Sequence, residues 1–129
     1  MHIFKTKWFV RYARKERIID HSLLEAIERA ERGLIDADLG GGIIKQRIAR
    51  AGEGRSGGYR MLIAYYSGNI AVFLYGISKS ERDNISEDEF ATLREIGAAW
   101  LAAETEQLEL AVKNGLLKEV SNDSKKGGK

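Results

Sequence analysis

The stretch from Lys45 to Arg82 constrains the fold more than any other. Ile44–Arg50 alternates: Ile44 and Ile48 fall on one side, Lys45 and Arg47 on the other. That is the period of a strand with one packed face and one cationic face. Tyr59–Tyr66 alternates too, with Tyr59, Met61, Ile63 and Tyr65 on one side and Arg60, Leu62, Ala64 and Tyr66 on the other. Ile70–Tyr75 is almost wholly apolar and suits a central strand covered on both faces. Ser67-Gly68-Asn69 supplies the turn between the last two runs. A β-hairpin with a cationic entrance follows, since Lys45, Arg47, Arg50, Arg55 and Arg60 stand against the single acid Glu53. Spacing alone leaves open the register that would bring Arg60 near Lys45 and Arg47.

The flanks read as support. His2–Lys5 is a short first strand. Trp8, Phe9, Tyr12 and Ala13 then recur at helical spacing, with Arg11, Arg14, Lys15 and Arg17 elsewhere on the wheel. Ser22 and Glu25 have the spacing of a capping box, which opens a second helix that stops at Gly33. Ile35–Gly42, with three glycines in a row, is expected to be a loop. It lacks the GxxxxGK[ST] pattern of a phosphate cradle. Asp36 and Asp38 in it suit capping or turning the chain better than holding a metal. Ser86 and Glu89 form a second capping box, followed by an apolar stripe through Phe90, Leu93, Ile96, Gly97, Trp100 and Leu101. Thr105 is expected to cap a last short helix ending near Gly115. The Ser/Lys/Gly-rich residues 121–129 are expected to be a disordered tail behind a single domain of residues 1–120.

Composition narrows the chemistry. The chain has 129 residues, one domain's worth, and no cysteine, so disulfides and thiolate metal sites are excluded. Only His2 and His21 could supply imidazole, and no cofactor is expected. No apolar run reaches the ~18–20 residues of a membrane span, and no signal-peptide segment opens the chain, so a cytoplasmic protein with no membrane partner is expected. The formal net charge of +2 hides segregation. Lys5–Arg17 has six bases and one acid, whereas Ser86–Glu109 has seven acids and one base. A cationic face of this kind suits RNA or DNA phosphate, or is simply solvated surface.

Metal-free RNA cleavage uses the substrate's own 2′-hydroxyl as nucleophile. It needs a base for that proton, an acid for the leaving 5′-oxygen, and cations for the phosphorane. Both histidines lie outside the basic hairpin, so neither is assigned. A lysine crowded by arginines is disfavoured in its charged form and can serve as the base; Lys45 beside Arg47 is the candidate. Arginine, which keeps its proton, clamps phosphate and stabilises transition-state charge.

The run GLIDADLGGGIIKQRIARAGEGRSGGYR, followed by YGISKSERDNIS, resembles the RelE/ParE superfamily of toxins from type II toxin–antitoxin systems, and more closely its HigB/RelE-like branch. KTKWFVRYARKE and the helix ending in ERG fit as well, so the resemblance spans about residues 2–118. It implies a small α+β RelE-like toxin fold: an N-terminal strand and two helices, an antiparallel sheet meander, then C-terminal helices. It implies a metal-independent mRNA endoribonuclease acting on translated mRNA. The catalytic positions would be Lys45, Arg47, Arg60, Lys79 and Arg82, with Arg60 on the scissile phosphate. Arg50, Arg55 and Tyr66 would bind RNA. The partners would be a cognate antitoxin from the same operon, mRNA and the ribosome. No tyrosine follows Lys79 closely, where RelE-type sites often have one, which leaves Tyr66 and Tyr75 as base-stacking or core residues. Two other readings stand beside the nuclease: a non-nucleolytic gyrase poison of the ParE kind, and a toxin-fold protein that only binds its antitoxin and operator DNA.

Overall fold

The structure is a computed structural model that describes residues 1–50, 54–79, 81, 82 and 84–120; for residues 54–56 it describes the backbone alone. The element order is β1 (His2–Thr6), α1 (Lys7–Glu16), α2 (Asp20–Glu31), β2 (Ala37–Gly40), β3 (Ile43–Arg50), β4 (Gly54–Tyr66), β5 (Ile70–Ser78), α3 (Glu87–Ala102), α4 (Thr105–Lys113) and β6 (Leu117–Glu119). The strands form one sheet in the order β2-β3-β4-β5-β1-β6. From β2 to β5 it is the expected antiparallel meander. β1 joins β5 in parallel, and β6 adds antiparallel to β1. This is the α+β architecture expected of a RelE-like toxin fold.

Alternation decides which residues meet which helices. Ile44, Ile48, Tyr59, Met61, Ile63 and Phe73 pack with Phe9 and Ala13 of α1 and with Leu23, Ala26, Ile27 and Ala30 of α2. The other face carries Ile43, Leu62, Ala64, Val72 and Leu74 against Leu93 of α3 and Ala111 of α4. Gly97 lets α3 lie flat there: a Cβ on it would stand 2.7 Å from the Ile43 side chain.

Several boundaries depart from expectation. Ser22 does not cap α2. The helix starts two residues earlier, at Asp20, whose carboxylate sits in the first turn and takes the buried Lys5 ammonium at 2.7 Å. Thr105 is not a cap either; Glu104 precedes the helix, and its amide donates to Gln107 Oε1 at 2.7 Å. The glycine run is not all loop. Ala37–Gly40 pairs with β3, and Gly40, Gly41 and Gly42 make the turn at positive φ. The strand β6 has no signal in its three residues. The expected disordered tail, 121–129, lies outside the described residues.

Three helices end the same way. In α2, the Gly33 amide donates to Ala30 O and the Leu34 amide to Arg29 O; in α4, Gly115 and Leu116 repeat this with Val112 and Ala111. These are Schellman ends with glycine in the left-handed position. In α1 the same pair of bonds runs from Arg17 and Ile18, so Arg17 is held at φ 60°. An L side chain there costs about 1 kcal/mol or more relative to glycine. Arg17→Gly is therefore expected to stabilise the fold by about 1 kcal/mol. The check is a rise in the urea midpoint at unchanged m.

Candidate functional site

The register of β3, β4 and β5 assembles the site. Arg47 pairs with Arg60, which pairs with Ile77; one row along, Lys45 pairs with Leu62, which pairs with Tyr75. Cross-strand partners share a face, so Lys45, Arg47, Arg60 and Tyr75 all lie on the α3 side, at the end of the sheet away from the β4–β5 turn. Arg47 is exposed, Lys45 half-buried and Arg60 only 7% exposed. The three expected cations do come together, but Arg60 sits beneath the surface rather than on it.

Arg47 and Arg82 are each steered by a carboxylate. Asp36, just before β2, accepts from the Arg47 amide at 2.7 Å and from its Nη2 at 3.2 Å. It also faces Arg29 Nη1 at 3.5 Å, while Arg29 Nη2 donates to Arg47 O at 2.6 Å. Partial burial works against the Asp36 charge, but the Arg47 amide and the two guanidiniums outweigh it and hold the carboxyl below its ordinary range. Gln46, wholly buried, fixes Asp36 in turn: its Oε1 accepts from the Asp36 amide at 2.7 Å. Arg82 is gripped more fully, with both terminal nitrogens 2.8 Å from Glu89 and Nη2 3.1 Å from the Tyr75 hydroxyl. Glu89 also accepts from the Ser86 amide at 2.8 Å, in the capping box read from the sequence. The Arg82 fork, helped by that amide, pulls the Glu89 carboxyl down to about 2.

That shift has a pH signature. A depressed carboxyl adds stability above its ordinary range, and the gain disappears as pH falls toward 2. Wild type should therefore be more stable than Glu89→Gln near neutral pH. The difference should shrink steadily between pH 4.5 and 2, read as urea midpoints of the two proteins in parallel.

Lys79, exposed just past β5, has its amide on Gly58 O at 3.1 Å, beside the Arg60 end of the patch. Gly58 is required there: a Cβ would stand 2.1 Å from Ile48 O. The remaining sequence candidates fall elsewhere. A register shift between Ile48 and Arg50 turns Arg50 toward Tyr59 on the α1–α2 side, with its guanidinium 5.6 Å from the ring centre. Tyr66 is 63% exposed but lies six residues along β4 from Arg60, about 20 Å away. The Arg55 side chain is outside the described residues.

Tyr75 is the member that sequence reasoning left undecided. Strict alternation from Phe73 would put it under α1. The shift opposite Leu62 and Ile63 leaves Leu74 without a cross-strand partner and turns Tyr75 onto the cationic face. Its ring stacks on Trp8 at 4.2 Å, and Trp8 stacks on Tyr12 at 5.2 Å. Burial lifts the Tyr12 hydroxyl to about 12, against a hydrogen bond with Ser78.

Residues 1–120 match the family model described as the RelE toxin of the RelE/RelB toxin–antitoxin system. The chain belongs to the RelE toxin family. No curated protein and no solved structure gives a significant match. As a RelE-family toxin the chain is one half of a toxin–antitoxin pair, and its basic sheet face is the family domain's own surface rather than an appended element. Among the described residues of this RelE-family toxin, no helix is long and apolar enough to cross a membrane.

Proposed function

We propose that this RelE-family toxin, of the HigB-like branch, is a metal-independent endoribonuclease that cuts mRNA during translation. The observation that carries the reading is the register Arg47↔Arg60 with Lys45 one row away, which gathers three cations on one sheet face. Exposed Arg47 meets an incoming phosphate first. Asp36 orders it through Nη2 and leaves Nε and Nη1 uncommitted among the described residues. Arg60, in lower-dielectric surroundings, exerts the strongest pull on the extra charge of the phosphorane. In this reading Lys45 takes the proton of the 2′-hydroxyl. Attack of that oxygen on phosphorus breaks the bond to the 5′-oxygen, which takes a proton from solvent water as it leaves, giving a 2′,3′-cyclic phosphate and a 5′-hydroxyl. Lys79 flanks the phosphate, and Tyr75, held by Trp8 and Arg82, edges the patch.

One observation favours the second reading, a protein-directed toxin of the ParE kind. Both terminal nitrogens of Arg82 are spent on Glu89, so a member of the expected catalytic set is not free for phosphate. The deciding experiment is translation of a reporter mRNA in a purified system with the toxin, with and without EDTA, followed by mapping of new 5′ ends. Cleavage that needs translating ribosomes and ignores EDTA supports the nuclease. Intact mRNA, while cells expressing the toxin still stop growing, directs attention to gyrase.

A further inference from the structure

The site uses one sheet face, and the most basic helix of the chain lies on the other. On α1, Lys7, Arg11, Arg14 and Lys15 are all exposed, whereas Phe9 and Ala13 are buried. At 100° per residue the four cations occupy an arc of only ~100°, with exposed Trp8 at its border. Their side chains make no hydrogen bond or ion pair to any described residue. Arg17 is also exposed, just past the helix end, in the left-handed position where α2 and α4 have glycine. This arrangement is unfavourable within the folded chain. Lys7–Arg11 and Arg11–Lys15 are like charges at i,i+4, which repel, and Arg17 adds backbone strain. An anion from outside would relieve the repulsion.

We propose that the outer face of α1 is a second RNA-binding surface, one that takes the phosphate backbone of a double-helical RNA. The proposal rests on the nuclease reading only in preferring RNA over another polyanion. No apolar residue interrupts the four cations, which is unlike a protein interface, where lysine is depleted and aromatic anchors are enriched. The surface is convex and rigid, and the nearby Trp8 ring is already engaged by Tyr12 and Tyr75, so it does not suit splayed single-stranded bases. From Lys7 to Arg14 the row runs about 10 Å, enough to follow several phosphates along one strand. Recognition would be indifferent to sequence and strongly salt-dependent.

The test compares wild type with the triple variant Lys7→Gln/Arg11→Gln/Arg14→Gln on a blunt 16-base-pair RNA duplex, over a series of salt concentrations. Glutamine keeps helix propensity, and an equal or higher melting temperature shows that the variant folds. The expected result is at least a tenfold loss of duplex affinity near 0.1 M salt. The slope of log K against log salt should become shallower by about 2–3, close to 0.9 per lost phosphate contact. Unchanged affinity and slope would overturn the proposal. So would intact duplex binding together with weakened binding of an acidic peptide, which would make the face a protein surface. The readout is binding of a duplex, so a failure of mRNA cleavage does not affect it, and cleavage can persist if the duplex surface fails.

Discussion

Replacing Arg60 by alanine is expected to lower ribosome-dependent mRNA cleavage roughly 10²-fold or more, with little change in ribosome association. The reason lies in where the residue sits. Arg47 is exposed and shares its guanidinium with Asp36, and Arg82 is committed to Glu89. Arg60 is 7% exposed, so its charge is screened least and acts most strongly on an oxyanion that reaches it. Its direct partner across the ladder is Arg47, so the two cations are neighbours on one sheet face. Arg60→Lys keeps the charge but loses the planar fork, and should fall between wild type and alanine. Single-turnover rates on preassembled translating ribosomes give the measurement. Melting curves for each variant guard against a folding loss, because the residue is buried. Rates of Arg60→Ala within threefold of wild type, in a protein that melts normally, would remove Arg60 from the chemistry.

The sequence carried the faces of this site but not its register or its restraints. Alternation in Ile44–Arg50 and Tyr59–Tyr66 placed Lys45, Arg47 and Arg60 correctly, because a buried face enforces period two. The pairing Arg47↔Arg60 depends on how residues 49–58 connect the strands, and no spacing rule sets that. Tyr75 was ambiguous because one unpaired residue, Leu74, reverses the phase after Phe73. Arg50 left the patch for the same kind of reason at the other end of β3. The α2 start does not follow the local Ser22–Glu25 signal, because Asp20 pairs with Lys5, fifteen residues away. Asp36, Glu89 and Gln46 shape the site through partners up to twenty residues away. Local reading cannot see such partners, and here they decide how each cation is held.

The largest effect on stability is expected at Gln46, which has no exposed surface. Its Oε1 accepts from the Asp36 amide at 2.7 Å; its Nε2 donates to Ala26 O at 2.9 Å and to Leu34 O at 3.2 Å. One amide thus ties β3 to the middle of α2, to Leu34 three residues past its end, and to Asp36. Gln46→Leu conserves the volume approximately but strands the Asp36 N–H and takes this donor from the Ala26 and Leu34 carbonyls, at about 1–3 kcal/mol for each group left unpaired. A loss of about 2–4 kcal/mol is expected, a large part of the 5–15 kcal/mol that holds a typical domain. Gln46→Glu discriminates further, because it changes only the donor. Near neutral pH it would place a carboxylate against two carbonyl oxygens in a dry site, so it should be less stable than the leucine variant. Its carboxyl would be raised above the ordinary value, so the penalty grows as pH rises through the carboxylate range and eases below it. In acid the neutral carboxylic acid can again donate to one carbonyl, and the glutamate variant should approach the wild type. Urea midpoints for the three proteins at pH 4 and pH 7 settle the matter. A glutamate variant with no pH dependence beyond that of wild type would mean that the amide's hydrogen bonds are not what secures α2 to β3. Because Gln46 also positions Asp36, the leucine variant should release Arg47 from its carboxylate, so loss of cleavage should accompany the loss of stability even where the protein remains folded.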